Sequence, residues 1–238
     1  MNLLLVLAFL FFIGSCAGWI LELFYRRFFA RCNAERKWIN PGFCTGPYLP
    51  LYGTGLCLLF LLARLGDLLP GSSPILLILL MTAVLTALEY LTGIWCLKRT
   101  HLRLWDYTNE WGNVQGVICP RFTLYWGLAA AVYSRLIHPG ILNALAWLSR
   151  NLTFSFFIGM FFGVFAVDFI HSAQLIARLK KFAEENQMVL RYEAVKLQIR
   201  EHHERTRQKY HFFRPFRSEL PLSEHLKEMA AAVRQKKT

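Results

Sequence analysis

Acidic side chains are few in this sequence: 15 Asp and Glu stand against 27 Lys and Arg in 238 residues. A phosphate-cradling glycine-rich loop ending Gly-Lys-Ser or Gly-Lys-Thr is missing, so ATP-driven work would need a separate ATPase. The six cysteines (16, 32, 44, 57, 96 and 119) show no paired or metal-type spacing and read as packing residues. A nucleophile motif is lacking too, which counts against an enzyme. Met1 and Asn2 supply no basic n-region, which speaks against a cleaved signal peptide. Ile13-Gly14-Ser15-Cys16 resembles a lipoprotein box but lacks that same basic start, so a plain transmembrane segment is expected.

What is abundant is apolar. Hydrophobic residues make up 55% of the chain, with 20 Phe. Five runs approach the roughly 20 residues that cross a bilayer: Leu3–Phe24, Tyr48–Leu65, Ile75–Leu97, Val117–Ile137 and Leu152–Ile176. They predict an all-α, polytopic helical membrane protein of five transmembrane helices. A transmembrane domain over 1–177 would precede a cytoplasmic, basic, helical tail over 178–238. The net charge of +12 sorts by side: Arg26, Arg27, Arg31, Arg36, Lys37, Lys98, Arg99, Arg103, Arg121 and the tail fall on one face. The positive-inside rule then places the N-terminus outside and the C-terminus in the cytoplasm.

Two polar stretches look like copies of one unit. One runs from Glu22 through Asn40 and Gly42 to Tyr52-Gly53, the other from Glu89 through Asp106, Tyr107, Asn113 and Gly116 to Trp126-Gly127. Aligned without gaps, Gly42 falls on Gly116, Tyr52 on Trp126 and Gly53 on Gly127. This predicts a duplicated two-helix hairpin plus one further helix. Ionisable residues inside a span are costly and mark functional sites by default. Glu22 has Arg26 one turn on, spaced for an ion pair. Glu89 lies deeper, with Arg121 the best partner by depth; either the two lock the bundle or Glu89 serves a substrate or proton. Asn40-Pro41-Gly42, Gly46-Pro47 and Pro50 break helix, so this link is expected to line a cavity or fold back. Asp106 is placed to cap a helix start. Either the links are ordered loops, or Glu22, Asn40, Glu89, Asp106, Tyr107, Asn113 and Arg121 line a cytoplasm-facing pocket between the halves.

In the fifth run Asp168 precedes His171 and Ser172, a spacing used by metals; with no second such pair, a polar helix contact is preferred and no metal or cofactor is expected. The tail has no Pro or Gly from Ser172 to His211, and its helical pattern lapses at Asn186 and Glu193. Arg205, Arg207, Lys209, Phe212, Phe213, Arg214 and Arg217 interleave cations with aromatics, which suits anionic lipid at a membrane surface better than nucleic acid. A short helix from Leu222 to about Gln235 is expected to follow.

Trp38-Ile39-Asn40-Pro41-Gly42-Phe43, Gly46-Pro47-Tyr48-Leu49-Pro50-Leu51-Tyr52-Gly53, Trp105-Asp106-Tyr107-Thr108 and Asn113-Val114-Gln115-Gly116-Val117-Ile118-Cys119 together resemble a bacterial integral membrane family. It is that of the CmpB-like permeases, ABC-transporter type IV, and the likeness runs over roughly Leu3 to Trp147. The resemblance implies a transport subunit in the cell (inner or plasma) membrane, a separate ATPase partner and a homodimer. The family pattern has Asn-Arg-Gly-Phe where this chain has Asn40-Pro41-Gly42-Phe43, which removes a cation from the expected pocket. Two other classes stay open beside transport: a non-catalytic scaffold or regulator acting through the basic tail, and a membrane enzyme on a lipid-linked substrate.

Overall fold

The computed structural model describes residues 2–30, 33, 35–68, 73–205, 211–214 and 222–235. The fold is nearly all helix. Helix α1, Leu3–Phe28, starts where the Asn2 side chain accepts a bond from the Leu4 amide (3.1 Å) and ends with Arg26 and Arg27 in its last turn. Both ends suit the helix: the amide is capped and the cations face the negative end of the dipole. Helix α2 spans Pro50–Leu68 and α3 spans Pro74–Thr100. Each opens on a proline, whose missing N–H costs nothing in a first turn. His101 closes α3 in the left-handed region, at φ 53°.

Among the described residues four helices are long and apolar enough to cross a membrane: Leu3–Phe28, Pro50–Leu68, Pro74–Thr100 and Leu152–Glu185. The run expected over Val117–Ile137 is built differently. Helix α4, Pro120–Val132, has 13 residues and passes into a π-helical turn, Tyr133–Ile137; α5, His138–Arg150, follows directly. Thirteen residues rise about 20 Å, less than the roughly 30 Å hydrocarbon core. The wide turn has a local cause. Pro139 has no N–H for the carbonyl of Arg135, and the His138 amide reaches back five residues to Tyr133 O. After a short turn, Leu152–Phe154, α6 runs Ser155–Glu185.

The core joins these helices through fully buried Leu10, Met81, Tyr133 and Leu148, with Leu85 and Ile158 beside them. Close approach of α1 and α2 requires glycine: a Cβ on Gly18 would overlap the Tyr52 ring, and one on Gly53 would overlap Ser15 Oγ.

The chain does not remain helical from Ser172 to His211. At the first lapse in the pattern, Asn186 caps α6 by donating to Phe182 O (3.0 Å), and Gln187 takes φ 49°. Leu190–Arg191 (β2) then pairs in parallel with Leu102–Arg103 (β1). Helix α7 runs Tyr192–Arg205 and α8 runs Leu222–Gln235, as expected for the latter. Leu102, Leu179, Leu190, Val195 and Ile199 form a second core beneath the links.

Candidate functional site

The two links fold on their asparagines. Asn40 accepts from Trp19 Nε1 (2.8 Å) and donates to the carbonyls of Cys44 (3.1 Å) and Thr45 (2.9 Å). Asn113 donates to Thr108 O (3.1 Å) and Glu110 O (2.9 Å) and accepts from the Gly116 amide (3.0 Å). Each asparagine thus replaces the regular hydrogen bonding that prolines and turns have removed. The aligned glycines serve different needs: Gly116 sits at φ 68°, whereas a side chain at Gly42 would press on Leu49.

Between the α1–α2 and α3–α4 hairpins lies a cavity of about 380 Å³. Of the seven residues read as a pocket, Glu22, Glu89, Asp106, Tyr107 and Arg121 line it. Asn40 and Asn113 do not; they shape the links behind it. The first link does line the cavity, through Pro41, Gly42, Phe43, Leu49 and Pro50.

The two carboxylates are held in corresponding ways. Tyr52 OH donates to Glu22 (2.8 Å), and Trp126 Nε1 donates to Glu89 (2.9 Å). Tyr52 and Trp126 meet with ring centroids 5.7 Å apart. Gly53 and Gly127, the residues after them, pack on Ser15 and Thr82 of the preceding helices.

The charges differ. Arg26 Nε sits 2.8 Å from Glu22, and the same guanidinium lies 3.0 Å from Glu193. Glu89, 4% exposed, accepts from Tyr107 OH (3.1 Å) and Trp126 and is not paired with Arg121. Arg121 instead reaches Glu110 (3.4 Å) and Tyr125 OH (3.1 Å) at the rim. The expected pair fails because Arg121 stands in the first turn of α4, where its long side chain turns outward to the link while Trp126 points inward. Asp106 caps a turn rather than a helix: it accepts from the Thr108 amide (3.1 Å) and hydroxyl (2.7 Å), and pairs with Arg103 (3.0 Å) and Arg191 (2.9 Å). Burial raises its pKa, but the Thr108 bonds and the two arginines outweigh that and hold it below the usual carboxylate range.

Two features of the first link escaped the sequence, although Asp168 itself was marked as a polar helix contact. Asp168 is the anchor of the first link, accepting from the amides of Thr45 (3.1 Å) and Gly46 (2.8 Å) and from the Thr45, Tyr48 and Ser172 hydroxyls. Among the described residues no acidic, histidine and cysteine cluster could hold a metal. The other feature is α7, whose Tyr192 and Glu193 close one wall of the cavity. Its Lys196 is buried, donates to Asn40 O (2.9 Å) and Gly42 O, and lies 4.5 Å over the Tyr192 ring. Burial, aided by Arg26, pushes the Lys196 pKa down to about 7. No signal within either stretch marked the contacts with the first link, which join residues 120 or more positions apart. For Tyr52 and Trp126 a signal existed: their shared position in the aligned units.

Of the residues read as a membrane-binding surface, Arg205 ends α7 and is exposed, and Arg214 is exposed. Phe212 and Phe213 pack on Trp19 of α1, with centroids 6.3 and 6.4 Å away. Arg207, Lys209 and Arg217 lie outside the described residues.

No curated protein and no solved structure matches the chain. Residues 9–173 match the family model described as Putative ABC-transporter type IV. With membrane-length helices around a walled cavity, this fits a membrane transport component, and the chain belongs to that family.

Proposed function

We propose that the chain is the membrane-embedded subunit of a small-molecule transporter, driven by a separate ATPase, with the cavity between the two hairpins as its binding site. The observation that carries this reading is the pair of glutamates, Glu22 and Glu89, each held by an aromatic donor at one wall of that cavity. A pocket mostly apolar with a few placed polar groups is the usual form of a small-molecule site. The matching bonds of Tyr52 with Glu22 and Trp126 with Glu89 support a duplicated hairpin whose site lies between equivalent halves. The helical run through Pro120–Arg150 then makes the fifth crossing, so an outside N-terminus leads to a cytoplasmic C-terminus. On this reading the links and α7 face the cytoplasm, where an ATPase would dock. A homodimer supplies the remaining wall of the pathway, and the cations around Arg205 and Arg214 meet anionic lipid.

Docking of α7 weighs against the scaffold reading. Its Tyr192 and Lys196 are engaged with the first link and its Glu193 with Arg26 of α1, rather than displayed to a partner. Purification from mildly solubilised native membranes tests the proposal. We expect an ATP-hydrolysing partner to co-purify, with hydrolysis altered by Glu22→Gln or Glu89→Gln. A chain that purifies without such a partner, and whose cellular role survives both substitutions but not truncation before Leu190, would instead be a scaffold.

A further inference from the structure

Each acidic side chain lining the cavity has an arginine partner, with a single exception among the described residues. Glu22 and Glu193 share Arg26, Glu110 has Arg121, and Asp106 has Arg103 and Arg191. Glu89 alone takes only neutral donors, Tyr107 OH and Trp126 Nε1. Among the described residues none of the ion pairs includes it. A carboxylate 4% exposed without a countercharge is costly in an apolar surround, and a cation arriving from outside would relieve that cost.

The walls near it are aromatic. Tyr107 stacks on Phe122 with centroids 4.2 Å apart, and Trp126 contacts Tyr52. Ring faces attract cations, and most strongly those that shed water easily. Leu49, Leu51 and Leu88 also line the cavity, so a bound molecule meets hydrocarbon beside its charged groups. A volume of about 380 Å³ takes a molecule of drug size, far more than a bare ion. An anion would meet the Glu89 carboxylate, which has only neutral donors beside it.

We infer that the cavity binds an amphipathic organic cation, its onium-type charge set against Glu89 and the rings of Tyr107, Phe122 and Trp126, and its apolar body along Leu49, Leu51 and Leu88. This rests on the reading of the cavity as a binding site and names the class of molecule it takes. Glu22 contributes less than Glu89, because it already has a cation, Arg26, 2.8 Å away.

Equilibrium binding of radiolabelled tetraphenylphosphonium to the full-length protein in nanodiscs tests this, with tetraphenylborate as the anion of matching shape and empty nanodiscs as background. The expected result is saturable phosphonium binding, little specific borate binding, and affinity reduced about tenfold or more by Glu89→Gln but only about two- to threefold by Glu22→Gln. Borate bound as well as phosphonium by the native protein would overturn the inference, as would native affinity in folded Glu89→Gln. If Glu89→Gln does not fold, the charge preference of the native protein decides. An ATPase partner with no cation preference in the cavity would remove this inference and leave the transport reading. Cation binding with no such partner would do the reverse.

Discussion

Glu89 shows how far a single residue could be understood from its position along the chain. Its depth in an apolar run marked it as needing a partner, and it has partners, but they are aromatic donors rather than Arg121. Depth orders residues along the membrane normal and says nothing of rotation about the helix, which decides who faces whom. The structure therefore predicts independence where a buried pair would predict coupling. Arg121→Gln should change stability by no more than about 1 kcal/mol, as for other rim ion pairs. Glu89→Gln keeps one oxygen for Trp126 and turns its amide toward the Tyr107 hydroxyl, which can accept, and should cost about 1 kcal/mol through weaker bonds. Thermal unfolding of the two single variants and the double should show effects that add within about 0.5 kcal/mol. Asp168 escaped for the same reason: its partners lie in a link read as irregular, and backbone amides leave no trace in a residue pattern.

Among the elements, the long apolar helices α1, α2, α3 and α6 were legible because their composition alone demands burial or lipid. The run after Val117 was less so, because Pro139 acts on a carbonyl four residues earlier and opens a π turn within an otherwise apolar stretch. The tail's first lapse, at Asn186, did mark the end of α6. Its return onto the links could not be read, since Lys196 finds backbone carbonyls and not a complementary side chain. That contact has a pH signature. Lys196 is near 7 when docked and ordinarily near 10.5, so the undocked helix holds the proton more tightly between those values. Docking should therefore strengthen as pH rises from about 7 towards 10.5, and gain nothing further below or above that window. The charges that Lys196 faces are Arg26, Glu193 and the Cys44 thiol; burial pushes that thiol up to about 12, so it stays neutral throughout. Hydrogen exchange of α7 amides, corrected for intrinsic rates, should show protection increasing across this range. Lys196→Met should flatten the dependence.

At the scale of the whole molecule, the sequence suggested two similar units before any contact was known, and the aligned positions did point to the residues that hold the glutamates. Five of the seven expected pocket residues line one cavity; the two asparagines build its walls from behind. What stayed hidden is the wall that α7 adds to that cavity, a contact between distant parts of the chain with no periodicity to betray it. The central claim is a cavity between the hairpins that is open to the cytoplasm. Thr54, on α2, lines it without bonding to either glutamate, and reports on access. In a background with the native cysteines replaced, Thr54→Cys should react with a membrane-impermeant thiol reagent in inside-out vesicles and stay protected in right-side-out ones. Labelling from the outer face alone, or protection from both faces in folded protein, would contradict the account.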